Sequence, residues 1–259
     1  MAAILELEHV SKAYPGVIAL DDVSMSFEPG EIHSIMGENG AGKSTMIKII
    51  AGAIPSSGGR IIINGNAFEK LNPAISKNNG IGVIYQEFNL VPSMSVAENI
   101  FLGEKTGSAI SPDFKKMHAE SRKLLENLGV HIDTHRMVGD LSTAQQQLVE
   151  IAKAMAKNCK VLIMDEPTAN LDYGNQHLVM RKIHEMVRSG YTVLLSTHNP
   201  EHALLYATHV LAIKDHKVRA AGRAGEVITE ELIEDLYGMR VKISATQHNG
   251  KQIRTCVPL

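Results

Sequence analysis

The sequence predicts an α/β fold built on a mainly parallel sheet. Short apolar runs at 80–85, 160–165, 191–197 and 208–215 alternate with helical patterns, and a glycine-rich turn, Gly37 to Thr45, joins an apolar strand to a helix. Ahead of that turn, "ILELEHV" alternates as a half-buried strand does, "VIALDDVSMSF" supplies one or two more, and "GEIHSIM" runs straight into the glycines. "GRIIING" follows the helix "KSTMIKIIAG", so the first part of the chain is expected to be rich in β structure. From about 87 to 158 the pattern changes. "SVAENIFLG", "DFKKMHAESRKLLENLG" and "TAQQQLVEIAKAMAKN" follow one another without a strand, which predicts a helical subdomain inserted between sheet strands. Beyond about 226 a short helix, "TEELIEDLYG", leads into a hairpin expected to turn at Asn249-Gly250. The whole reads as a single domain over 1–259, with a core at about 1–86 and 159–225, the helical part at 87–158, and the helix and hairpin at 226–259.

Composition narrows the function classes. Of the 259 residues, 44% are hydrophobic, ample for a core, and 26 basic side chains nearly balance 28 acidic ones. A net charge of -2 does not advertise nucleic acid as a partner. Two cysteines, Cys159 and Cys256, are too few for a disulfide framework and lack metal-site spacing, which fits a reducing cytosol and two ordinary thiols. The longest apolar runs fall far short of the roughly 20 residues that span a bilayer. The N-terminus carries acids where a signal peptide is basic, so the chain is expected neither to cross a membrane nor to be exported.

The strongest chemical signal is "GENGAGKST", which satisfies G-x-x-x-x-G-K-[ST] between a strand and a helix. In such a P-loop, glycines turn backbone N–H groups inward around phosphate, and the helix N-terminus adds its positive dipole. Lys43 reaches the β and γ phosphates and Ser44 ligates magnesium. Gly37, Glu38, Asn39, Gly40, Ala41, Gly42 and Thr45 complete the cradle. A P-loop alone leaves several NTPase types open. The second phosphate element is "VLIMDEP": a buried strand delivering Asp165 to the magnesium shell and Glu166 towards the γ phosphate, as general base or orienter of the attacking water. Two adjacent acids at the end of an apolar strand need a cation to meet them.

These motifs, together with "IGVIYQEFNLVPSMSVAENIFLG", "LSTAQQQLVEIAKAMA", "IMDEPTANLD" and "LLSTHNPEHA", resemble the ATP-binding subunits of ABC transporters over nearly the whole chain. The resemblance implies a RecA-like core with an antiparallel β subdomain and a helical subdomain. It also implies a head-to-tail dimer, of identical chains or of paired domains, with two ATP molecules at the interface. By position, Tyr14 matches the aromatic that stacks on adenine, though it also fits a solvent-side turn. Gln86 matches the glutamine that senses magnesium and the γ phosphate, a role an amide suits because it donates and accepts without titrating. Asp172 matches an interface aspartate and, equally, a helix cap. His198 matches the switch histidine. "LSTAQ" matches the signature usually written LSGGQ, so Ser142, the Ala144 N–H and Gln145 would address the γ phosphate of ATP held by the other subunit. Thr143 and Ala144 stand where that signature has two glycines. Gln146 and Gln147 read as helix surface.

The resemblance further implies Mg-dependent ATP hydrolysis coupled to transmembrane permease subunits, an extracytoplasmic solute-binding protein reached through them, and a place at the inner face of the cell membrane. The first two-thirds resembles the sugar-import class and the remainder the class importing metal chelates, as in a mosaic of two lineages. A carbohydrate is the expected solute, because the helical subdomain and the Gln86 segment touch the membrane partner in this family. A siderophore, haem or cobalamin is the alternative, and a soluble non-transport ATPase ranks lower. His198 and His202 are spaced as a metal pair, but Pro200 between them starts a helix, and zinc is rejected there. His131 and His135 are expected at the surface, and His177 and His184 on helix surfaces.

Overall fold

The sequence condenses into three sheets, described in a computed structural model that covers residues 2–104, 106, 112–248 and 250–259. Leu5–Tyr14 (β1) and Val17–Phe27 (β2) form an antiparallel pair in which Leu5, Leu7, Val10, Leu20, Val23 and Phe27 turn to one buried face. Ile32–Met36 (β3) leads to helix Lys43–Ile50 (α1), and Gly58–Ile63 (β4) and Asn66–Phe68 (β5) return to β1, giving the order β2-β1-β4-β5. After the short helix Pro73–Asn78 (α2) and strand Ile81–Ile84 (β6) come Val96–Ile100 (α3), Phe114–Asn127 (α4) and Thr143–Ala156 (α5), with no strand among the described residues between them. Val161–Met164 (β7), Tyr173–Arg188 (α6), Thr192–Thr197 (β8), Pro200–Tyr206 (α7) and His209–Lys214 (β9) then resume the alternation.

The second sheet has the order β10-β9-β3-β8-β7-β6, where β10 is Lys217–Arg223. Every pairing in it is parallel except β9 with β10. Its strands β7, β8 and β9 are largely apolar runs because both their faces are covered. On β7, Leu162 and Met164 join Leu148, Ile151, Ala152 and Met155 of α5 and Val179, Met180 and Ile183 of α6. Val161 and Ile163 face the other way, towards Met46, Ile47 and Ile50 of α1 and the apolar face of the antiparallel sheet. The chain therefore has three layers, with the parallel sheet in the middle.

Capping accounts for most helix starts. Ser95 and Glu98 form a reciprocal box at α3, and Asp113, Asp172, Asn199 and Thr229 accept backbone N–H bonds at their helices. Asn99, fully buried, satisfies its amide with Val91, Met94 and Ser95 and so pins the segment that leads into α3. The tail comprises Ala224–Val227 (α8), Glu230–Tyr237 (α9) ending at Gly238 in the left-handed region, and the hairpin Val241–His248 (β11) with Lys251–Pro258 (β12). Its turn includes Asn249, outside the described residues; Gly250 has φ 72°. Val241, Ile243 and Cys256 seat this hairpin beside Ala203 and Leu204 of α7.

Candidate functional site

The P-loop leaves the carboxyl end of β3, where an open parallel sheet places its ligand crevice. Gly37 (φ 152°) and Gly42 (φ 113°) are held by close neighbours: a Cβ on Gly37 would lie 2.3 Å from the Ile213 carbonyl oxygen, and one on Gly42 2.4 Å from that of Ala19. Gly42→Ala is accordingly expected to lower stability by about 2 kcal/mol through strain at positive φ, and to cut ATP affinity along with it. Thermal denaturation and nucleotide titration of that variant check both effects.

Lys43, the first residue of α1, is 5% exposed. Its Nζ donates to the carbonyls of Gly37 (2.9 Å) and Glu38 (3.0 Å) and lies 4.0 Å from Glu166 Oε1. Burial lowers its pKa, while Glu166 and Asp165 oppose the shift. The ammonium therefore rests on backbone carbonyls of its own loop, bonds it can exchange for phosphate oxygens.

Beyond β7 the two acids diverge. Asp165 is buried and accepts from Ser196 Oγ (2.6 Å) and Ser44 Oγ (3.2 Å), which bonds the P-loop helix directly to the acid strand. Glu166 adopts φ 47°, a costly conformation for a residue with a side chain, and its N–H donates to Ser196 Oγ (2.9 Å). Its Oε2 lies 2.9 Å from Nδ1 of His198, whose side chain is 62% exposed. A cavity of about 310 Å³ is bounded by Asn39, Lys43, Ser44, Thr45, Gln86 and Glu166. Gln86, two residues past β6, stands exposed at its rim.

Other expected site residues lie apart from this cavity. Tyr14 ends β1, 45% exposed, with Lys12 Nζ 4.9 Å over its ring. Asp172 caps α6, accepting from the Asn175 N–H at 2.9 Å. Ser142 caps α5 in a reciprocal box with Gln145, its hydroxyl accepting from the Gln145 N–H. Thr143 is exposed, whereas the Ala144 side chain is packed into the core, so the methyl that a glycine would lack is directed at Leu148 and its neighbours rather than at the surface.

Two surface expectations are corrected. Gln147 is buried at 5%, and Gln146 is half-buried, its amide donating to the carbonyls of Val138 (3.3 Å) and Leu141 (3.1 Å). Helix α5 is enclosed on nearly every side, so a polar residue there has little open surface. His177 and His184 are likewise half-buried. His177 bonds the Tyr206 hydroxyl at 2.9 Å and meets His202 edge-on. His198 and His202 do not share a face: His202 is 2% exposed and Pro200 opens α7 between them.

Three residues that hold the candidate site in place were not found from sequence. Ser196, near the end of the largely apolar strand Thr192–Thr197, bonds both acids. Glu150 and Lys153 on α5 hold the segment after Gln86, with Glu150 accepting from the Asn89 N–H (2.7 Å) and Lys153 donating to the Asn89 carbonyl (2.5 Å). Burial raises the Glu150 pKa and lowers that of Lys153, each opposed by the other's charge. Two opposite charges one turn apart on an otherwise buried helix were the available signal.

The ABC transporter family pattern matches residues 20–169, more than half of the chain. The chain belongs to the ABC transporter family. Among ABC transporter relatives, it is 38% identical to the ribose import ATP-binding protein of Hahella chejuensis, over 94% of this chain and 49% of that protein. It is 37% identical to the xylose import ATP-binding protein of Moorella thermoacetica, over 91% of this chain and 47% of that protein. The chain thus spans about half the length of the curated relatives it matches. Its fold follows that of MJ1267, an ATP-binding cassette of an ABC transporter, with a TM-score of 0.82 and 30% identity over 92% of this chain and 99% of the other.

Proposed function

We propose that the chain binds and hydrolyses ATP to energise an importer, with a carbohydrate as the solute. One observation carries this reading: Lys43, Ser44, Gln86 and Glu166 line one cavity at the carboxyl edge of the parallel sheet, with Asp165 bonded to Ser44 and His198 to Glu166, so that four separate segments converge there. Names of the relatives, ribose import and xylose import, favour a pentose or similar sugar. Phosphate release from ATP by the purified chain, and sugar-stimulated release once it is reconstituted with its permease in vesicles, test the two halves separately. Stimulation by a metal chelate instead of a sugar would overturn the solute assignment and leave the ATPase standing.

Within this reading, Lys43 transfers its donors from the Gly37 and Glu38 carbonyls to the phosphates, and α1 presents unpaired N–H groups to them. Ser44 and Asp165, oxygen donors 3.2 Å apart, and Gln86 at the rim suit a hard cation and would hold magnesium. When bound, that ion neutralises charge on the phosphate oxygens. Glu166 orients and deprotonates the attacking water, and His198, bonded to its carboxylate, contacts the γ phosphate. Tyr14 stacks on adenine.

The working unit in this proposal is a dimer in which Ser142, the Ala144 N–H and Gln145 of one subunit close on ATP held by the other, with Asp172 at the interface. Exposure of Ser142 at the start of α5 supports this, since a helix N-terminus facing outward attracts an anion. Ser142→Arg is expected to abolish ATP-driven dimer formation in size-exclusion chromatography while nucleotide binding to the P-loop persists. Core (about 1–86 and 159–225), helical part (87–158) and tail (226–259) are the proposed moving units, with Glu150 and Lys153 tying helical part to core. No helix among the described residues is long and apolar enough to cross a membrane, so attachment at the inner face of the cell membrane would run through the permease. A solute-binding protein would act from the other side.

A further inference from the structure

Glu31, His33 and His209 form a cluster that the ATP reaction does not use. Glu31 immediately precedes β3, so strand alternation sets its side chain on the same face as His33, and the parallel register of β3 with β9 pairs His33 with His209. Glu31 Oε2 lies 3.1 Å from His33 Nε2 and 2.9 Å from His209 Nδ1. The two imidazoles stack 5.3 Å apart and 20° from parallel, and Phe27 closes the far side of His33 edge-on at 5.0 Å.

Two further observations point to a ligand. His33 is 1% exposed, yet neither of its ring nitrogens makes a hydrogen bond of good geometry, and the same holds for Glu31 Oε2 and His209 Nδ1. Buried polar atoms normally find partners; here they converge on one another instead, with one ligand atom from each residue within 4.8 Å of the others.

We propose that Glu31, His33 and His209 bind a divalent transition-metal cation of the zinc class, clasping β3 to β9. Two imidazoles and one carboxylate suit Zn²⁺, Co²⁺ or Ni²⁺ and do not suit Mg²⁺. Atoms bound about 2.1 Å from one such ion sit roughly 3 to 3.5 Å apart, close to the separations of Glu31 from each ring. Glu31 and His209 are about one-quarter exposed, which leaves an open side for water as a further ligand. The site is separate from the ATP cavity: it lies at the amino end of β3 and the P-loop at the carboxyl end, roughly 13 Å along the strand.

Cobalt is the probe. The full chain, stripped of metal and free of nucleotide, is titrated with Co²⁺ and then Zn²⁺, following visible absorption and the thermal midpoint. Saturable uptake of one equivalent of Co²⁺, its displacement by Zn²⁺ and a midpoint rising with Zn²⁺ concentration are expected. Glu31→Gln and His209→Ala should each weaken binding by at least about tenfold and cancel the midpoint rise, while His198→Ala and His135→Ala leave both intact. Circular dichroism establishes that each variant is folded; Glu31→Gln, isosteric with the native side chain, carries the test if His209→Ala is not. Absence of saturable binding overturns the proposal, as does wild-type binding in Glu31→Gln or loss of the cobalt signal in His198→Ala or His135→Ala.

Discussion

Glu166→Gln is expected to lower the rate of ATP hydrolysis by about 10² to 10⁴-fold, the range for loss of a positioned general base, with ATP affinity unchanged. The substitution keeps the shape of the side chain, and the Glu166 N–H still reaches Ser196, so the backbone at φ 47° has no new reason to relax. It removes the negative charge that faces Lys43 at 4.0 Å and His198 at 2.9 Å. Single-turnover phosphate release beside equilibrium nucleotide titration separates the two effects. A variant that hydrolyses ATP at the native rate would remove Glu166 from the role of base.

Lys43→Ala should act one step earlier, weakening ATP affinity by at least about 100-fold, or ~2.7 kcal/mol. The Lys43 ammonium is nearly buried, so its bonds to phosphate would form in a poorly screened setting where charge-assisted hydrogen bonds are strong. Its loss also leaves Glu166, at 14% exposed, and the buried Asp165 without the cation that balances them, which makes an incoming polyanion less welcome still. Fluorescent-nucleotide titration measures the loss. Retention of native affinity would imply that Lys43 keeps its bonds to Gly37 and Glu38 when nucleotide enters.

The legible parts of the fold were those with a strong period or a strong motif. Val161–Met164 announced itself as a buried strand, and the P-loop by strand, glycines and helix together. Strand β10 was missed because Lys217–Arg223 alternates arginine, alanine and glycine around a single larger apolar residue, Val218: it is an edge strand with one wet face. Strand β5 is three residues long, and α2, despite Asn72 and Pro73 at its start, has too few apolar residues for a period. In the candidate site, Gln147 was misread because burial of α5 comes from segments remote in sequence, and Gln146 because its amide folds back onto the carbonyls of Val138 and Leu141 in the turn ahead of the helix, which helical period does not show. Pairing of His33 with His209 is a matter of strand register, which local pattern does not carry. Glu150 and Lys153 were hidden for the same reason, their shared partner Asn89 lying on a different segment.

Ser196 gives the geometry of the candidate site a common origin. Its hydroxyl donates to Asp165 and accepts from the Glu166 N–H, and His198 lies only two residues further along the same chain. The offset between Glu166 and His198 is thus set by one oxygen atom and a short covalent span, much as two arms of a gauge are read from a single datum. Removing that oxygen would leave the exposed contact between His198 and Glu166 to hold the two arms, so the pair would lose alignment before it lost either member.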